Sequence, residues 1–110
     1  AVASFIGVVR NHDGGESVDS IEYSAHPSAS QILREIVADF ADRPGVHRIV
    51  AWHRVGHLGI GEDAMVVAVA AEHRGQAFRA VEGIVEEVKA KLPVWKKQEL
   101  TDGSHNWSGL

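Results

Sequence analysis

A chain of 110 residues, 45% hydrophobic and 24% charged, has the size and balance of one globular domain spanning residues 1–110. It has no cysteine, which excludes disulfides, cysteine-ligated zinc, iron–sulfur clusters and thiol nucleophiles. A net charge of -4 argues against wrapping duplex DNA, and no apolar run approaches the roughly 20 residues that cross a bilayer.

Val2 to Arg10 reads as a strand, with Gly7 as a bulge or close-approach point. Asn11 to Ser17 reads as a loop, broken by Asp13-Gly14-Gly15. Val18 to Ala25 alternates as a second strand, so the two strands are expected to form a hairpin. Pro27 opens a helix to about Arg43, where Ile32, Leu33, Ile36, Val37 and Phe40 recur at helical spacing and Pro44-Gly45 stops it.

Val46 to Val55 is the third strand and Asp63 to Glu72 the fourth. Ala64 to Ala70 is apolar on both faces, which predicts a central strand covered on each side. The glycines of the intervening Gly56 to Glu62 do not make a phosphate loop, because no helix follows them. Gly75 to Leu92 is the second helix, with Phe78, Val81, Ile84, Val85, Val88 and Leu92 as its stripe. Pro93 ends it, and Val94 to Leu100 is the last strand before a turn at Thr101 to Ser104. The order β-β-α-β-β-α-β predicts an α+β fold with a mainly antiparallel sheet.

Four places hold chemistry-bearing side chains. Arg10 stands where the first strand meets the glycine-rich loop, placed either to fork an anion or simply to face water. His73 and Arg74 sit between the apolar fourth strand and a helix N-terminus, placed either to hold an anion with the free N–H groups there or simply as a polar junction with a surface arginine. All four lysines (Lys89, Lys91, Lys96 and Lys97) fall within residues 89–97, while every other basic residue is an arginine. Residues 1–72 carry 5 basic and 10 acidic side chains, and residues 73–110 carry 6 and 5. Such a cluster is either a solvated helix end or a site for proton transfer. Lys89 lies at the margin of the helix stripe, and Pro93 folds the chain back so that Lys89 and Lys96 can converge. Among the histidines, His47 and His53 share a strand face, but no third ligand stands in register for zinc. No Gly-x-Ser-x-Gly elbow supports a serine triad.

Phe5-Ile6-Gly7-Val8-Val9-Arg10-Asn11-His12, His53-Arg54-Val55-Gly56 with Gly61-Glu62, His73-Arg74, Lys89, Pro93-Val94-Trp95-Lys96-Lys97, and Asp102-Gly103 with Trp107 follow one another in this order. Together they resemble the large, catalytic subunit family of molybdopterin synthase. The resemblance implies an α/β hammerhead-like fold and a cytoplasmic homodimer. Each subunit would dock a small ubiquitin-like sulfur carrier whose C-terminal Gly-Gly tail bears a thiocarboxylate. The implied reaction adds two sulfurs to cyclic pyranopterin monophosphate to form the molybdopterin dithiolene. By position, the resemblance implies Lys89 and Lys96 as catalytic residues and Arg10, His73 and Arg74 as holders of the anionic substrate. It implies no cofactor, metal, nucleic acid or membrane. It also implies an element before the first strand and a basic residue beyond the last tryptophan, neither of which has a counterpart in residues 1–110. Two other classes compete: a module that binds a ubiquitin-like tail without chemistry, and a small ligand-binding α+β dimer unrelated to sulfur.

Overall fold

The computed structural model describes residues 1–13 and 15–110, so Gly14 of the expected glycine-rich break lies outside the described residues. Along the chain come β1 (Val2–Val8), β2 (His12–Asp13), β3 (Glu16–Ala25), α1 (Ala29–Ala41), β4 (Val46–His53), β5 (Gly56–Gly59), β6 (Asp63–Ala71), α2 (Arg74–Lys91), β7 (Val94–Leu100) and β8 (His105–Gly109). The fold is α+β, with two antiparallel sheets and two helices. Three short strands, β2, β5 and β8, add to the expected order. β5 falls on a stretch read as a connection, and β8 follows the expected turn. Both find their hydrogen bonds on existing strands, β5 on β3 and β8 on β7.

β1 does not form the expected hairpin with β3. It pairs along its length with β6, from Val2 opposite Ala70 to Val8 opposite Asp63. β6 is central in this first sheet, with β4 on its other side. A bulge between Gly7 and Val8 ends the pairing. The next residue is clamped, since Val9 N–H donates to the Glu62 carbonyl at 3.0 Å and Gly61 N–H donates to the Val9 carbonyl at 2.9 Å. The strand therefore leaves the sheet before Arg10. What remains of the hairpin is the two-residue pairing of β2 with the start of β3.

β3 anchors the second sheet, pairing with β2, β5 and β7, while β8 extends it beyond β7. Both helices lie on one face of the first sheet. α2 packs on β6 and β1 through Ala77, Ala80, Val81, Ile84, Val85 and Val88, all buried. Phe78, expected in this stripe, is 62% exposed. At about 100° per residue it sits about 100° from Ala77, beyond the packed arc, and Lys89 falls on the same flank. α1 rests on α2 and β4, with Ile36 and Phe40 buried. The approach depends on Gly83, where a Cβ would overlap the Phe40 ring.

The fourth predicted strand, β6, was expected to be covered on both faces. Within one chain only the helix-side face is covered. Val2, Ile6, Val50 and Trp52 stand exposed on the opposite face, in register across Val66, Ala68 and Ala70 of β6.

Candidate active site

A cavity of about 440 Å³ opens where the first sheet, the second sheet and the last turn of α2 meet. Its floor is apolar, built from Phe5 and Met65 of the first sheet and Ile21 of β3. Three cations line it from three separate segments: Arg10 just beyond β1, Lys89 from α2 and Lys96 from β7.

Local sequence explains each placement. The bulge and the Val9 clamp deliver Arg10 to the rim. Lys89 lies one residue past the buried Val88, on the flank of α2 that the sheet leaves uncovered. At Leu92 the backbone turns extended (ψ 122) and Pro93 follows, so α2 ends there and the chain passes directly into β7, which pairs with β3. On β7, Val94, Lys96 and Gln98 share one face, and Val94 and Gln98 are buried. Trp95 and Lys97 take the other face, where the Lys97 ammonium lies 5.8 Å from the Trp107 ring centroid. The expected convergence of Lys89 and Lys96 on one site is therefore present.

His73 and Arg74 do not join them. They begin α2, whereas Lys89 ends it, and 15 residues of helix at about 1.5 Å each separate Arg74 from Lys89 by roughly 22 Å. His73 is the extended N-cap residue, and its backbone N–H donates to Gln76 Oε1 at 2.9 Å. Gln76 in turn packs against Gly45, whose φ of +78 and lack of a side chain make that contact. A second cavity of about 230 Å³ at this end is lined by Arg43, Gln76 and Arg79. Of five residues assigned to one pocket, a single chain thus brings together Arg10, Lys89 and Lys96.

The cavity also holds two residues given no role from sequence. His53 ends β4, and its Nδ1 lies 2.6 Å from the Arg54 carbonyl oxygen. A carbonyl can only accept, so Nδ1 carries the proton. The ring meets Tyr23 edge-on, with centroids 4.8 Å apart and planes at 74°. Burial holds the His53 pKa below the ordinary histidine value and Lys89's charge pushes the same way, although the Arg54 hydrogen bond opposes them. The signal for His53 was its place after Ile49 and Ala51 on the covered face of β4.

Behind His53 stands a small polar frame. Arg54 N–H donates to the Ala64 carbonyl at 2.8 Å, and the Arg54 guanidinium pairs with Glu62 at 3.4 Å. Glu62 Oε2 accepts from Gly59 N–H at 2.5 Å, which chiefly holds its pKa below the usual carboxylate range. Gly56 and Gly61 take φ of +94 and +85 on either side of β5, a region open to glycine. Among the described residues, no group of three or more His, Asp or Glu side chains is placed to hold a metal ion.

The family model described as MoaE protein matches residues 1–91. The chain belongs to this family. It is 38% identical over 112 residues to a molybdopterin synthase catalytic subunit of Nostoc sp., covering all of this chain and 68% of that protein. It is 36% identical over 110 residues to the human protein of that name, covering 99% of this chain and 58% of that one. The fold matches the crystal structure of molybdopterin synthase from Staphylococcus aureus with a TM-score of 0.90 and 35% identity, over the whole of this chain and 80% of that one. The chain thus spans about half to two thirds of most of the curated relatives it matches.

Proposed function

We propose that residues 1–110 act as one domain, the catalytic subunit of a molybdopterin synthase. In this reading the chain moves sulfur from the C-terminal thiocarboxylate of a small ubiquitin-like carrier onto cyclic pyranopterin monophosphate, in the cytoplasm. The observation that carries the proposal is the convergence of Lys89, Lys96 and Arg10 on one cavity, in a chain of the MoaE family.

The chemistry suits the cavity. Both reactants are anions, one a phosphate ester and the other a thiocarboxylate. Arg10 provides a planar fork for phosphate, and the two ammonium groups provide compact charge for carboxylate oxygens and for negative charge that develops during transfer. The apolar floor accepts a flat ring. Residues 1–110 contain no cysteine and so offer no thiol for a persulfide, which fits delivery of sulfur by a second protein.

A second copy of the chain would cover the open face of the β1–β6–β4 sheet, where Ile6, Val50 and Trp52 are exposed. His73 and Arg74 are too far along α2 to serve their own chain's cavity. In this reading they serve as anion holders at the cavity of the other subunit of the dimer.

The test is reconstitution with thiocarboxylated carrier and pterin substrate. Wild-type chain is expected to form the dithiolene product. Carrier binding without product would favour the non-catalytic module, and no carrier affinity would remove both readings.

A further inference from the structure

The lining of the main cavity is unbalanced in one respect. Its charged side chains are Arg10, Lys89 and Lys96, and among the described residues no Asp or Glu lines it. A reaction that ends by releasing the carrier as a free carboxylate nevertheless needs a group that accepts a proton. Tyr23 donates in its neutral form, and Gln98 is an amide with no useful basicity. His53 is the remaining candidate.

We propose that His53 is the general base for the hydrolytic half of the reaction, with Nε2 as the accepting atom. The proposal rests on the sulfur-transfer reading above and adds a residue to it. After sulfur transfer, the carrier's terminal acyl carbon is joined through sulfur to the pterin side chain. Water attacks this carbon and its oxygen forms the new bond, while Nε2 takes a proton from the water. The carbon–sulfur bond breaks, and its electron pair leaves with sulfur as a thiolate on the pterin. The carrier's new carboxylic acid loses its proton to solvent, and His53 then returns its own. No electrons are gained or lost overall.

Three features fit this role. The Arg54 carbonyl fixes the proton on Nδ1 and leaves Nε2 as the lone-pair nitrogen. Contact with the Tyr23 ring edge and the position at the end of β4 hold the imidazole in place. The groups around it are Lys89 from α2, Lys96 from β7, Arg10 beyond β1 and Tyr23 from β3, while β6 contributes Ala64 and Met65. Burial favours the neutral ring, the form that acts as a base, and the charge of Lys89 does the same. Lys89 and Lys96 are thereby left to hold anionic oxygens, a task for which their charge is needed.

The test compares wild type, H53F and H53Q in the reconstituted reaction, following product by turnover and covalent carrier–pterin adduct by intact-mass spectrometry. The expected result is a fall in kcat of about a hundredfold, within the usual range for loss of a general base. KM for the pterin should change little, adduct should accumulate, and the acidic limb of the kcat–pH profile should disappear. H53Q repeats the measurement if H53F does not fold. Near-normal kcat with the acidic limb retained, or adduct accumulating in K89A and not in either His53 variant, would overturn the proposal. Separately, nitrogen-15 NMR of the wild-type chain should find His53 neutral at pH 7 with its proton on Nδ1, and the opposite tautomer would overturn it without any turnover assay. A wild-type chain that makes no product would remove the sulfur-transfer reading and this proposal together, whereas a failure confined to the variants or the tautomer removes this one alone.

Discussion

Lys89, in the last turn of α2, and Lys96, three residues into β7, open onto one cavity from either side of the break at Pro93. Lys89 is exposed and Lys96 half-buried, so neither carries much of the packing. K89A and K96A should each lower product formation by about a hundredfold or more, the scale for losing a positioned charge at a reacting centre. Thermal stability should shift by less than about 1 kcal/mol, as for surface substitutions. Turnover assays beside thermal melts check this, and near-normal turnover in both variants would count against the site.

The separation of Arg74 from Lys89 makes a prediction about subunits. R74A and K89A homodimers should both be inactive, each having lost one component of both cavities. Mixing them should restore part of the activity, because the mixed dimer then contains one intact cavity. No recovery after confirmed subunit exchange would show that Arg74 does not complete the other subunit's cavity.

The open face of the β1–β6–β4 sheet leads to a third expectation. I6E and W52E place a charge among exposed apolar side chains and should leave the monomer folded. Both should shift the sedimentation velocity profile from dimer to monomer. A wild-type chain that sediments as a monomer would remove the second copy from the proposal.

Glu62 sets an acid limit on the frame behind His53. Its pKa is lowered chiefly by the Gly59 N–H and further by Arg54. The folded state therefore binds this proton less readily than the unfolded state. The stabilisation is complete above the unfolded value, about 4.3 for glutamate, and is lost as pH falls through the lower folded value. Across that window E62Q should show a flatter dependence of melting temperature on pH than wild type. His53, also lowered, acts in the same direction at higher pH: its contribution is full above about 6.5 and is lost as pH falls through its folded value.

Gly83 and Phe40 provide a test of packing alone. G83A adds a Cβ that overlaps the ring, and overpacking of this kind typically costs about 1–3 kcal/mol. Denaturant unfolding should show that loss, and F40L in the same chain should recover part of it by vacating the contact.

Much of the fold was legible because the apolar periodicity is strong where elements are long. The bounds of α1, α2 and β6 were read to within a few residues. β5 and β8 were not, since short strands with glycine and polar residues resemble loops until a neighbouring strand pairs with them. The partner of β1 was also misread. Sequence proximity favours a hairpin, but β6 needs a neighbour on each edge and β1 meets that need. Phe78 shows the limit of a helical wheel, because an apolar residue at the margin of the arc is buried only if something covers that flank.

For function, the sequence by itself determined the cast: a cysteine-free chain, a lysine cluster broken by Pro-Val-Trp, an arginine after the first strand and a His-Arg pair before the second helix. Those residue types suit holding anions and moving protons, and in the proposed sulfur-transfer reading the sulfur comes from outside. Only the tertiary structure decided which of them meet. The end of α2 at Pro93, the pairing of β7 with β3 and the Val9 clamp bring Arg10, Lys89 and Lys96 to one cavity, while the rigid length of α2 keeps His73 and Arg74 away. It also set His53 in the same cavity as Lys89, and no spacing along the chain could show this, because it depends on how β4, β6 and α2 pack.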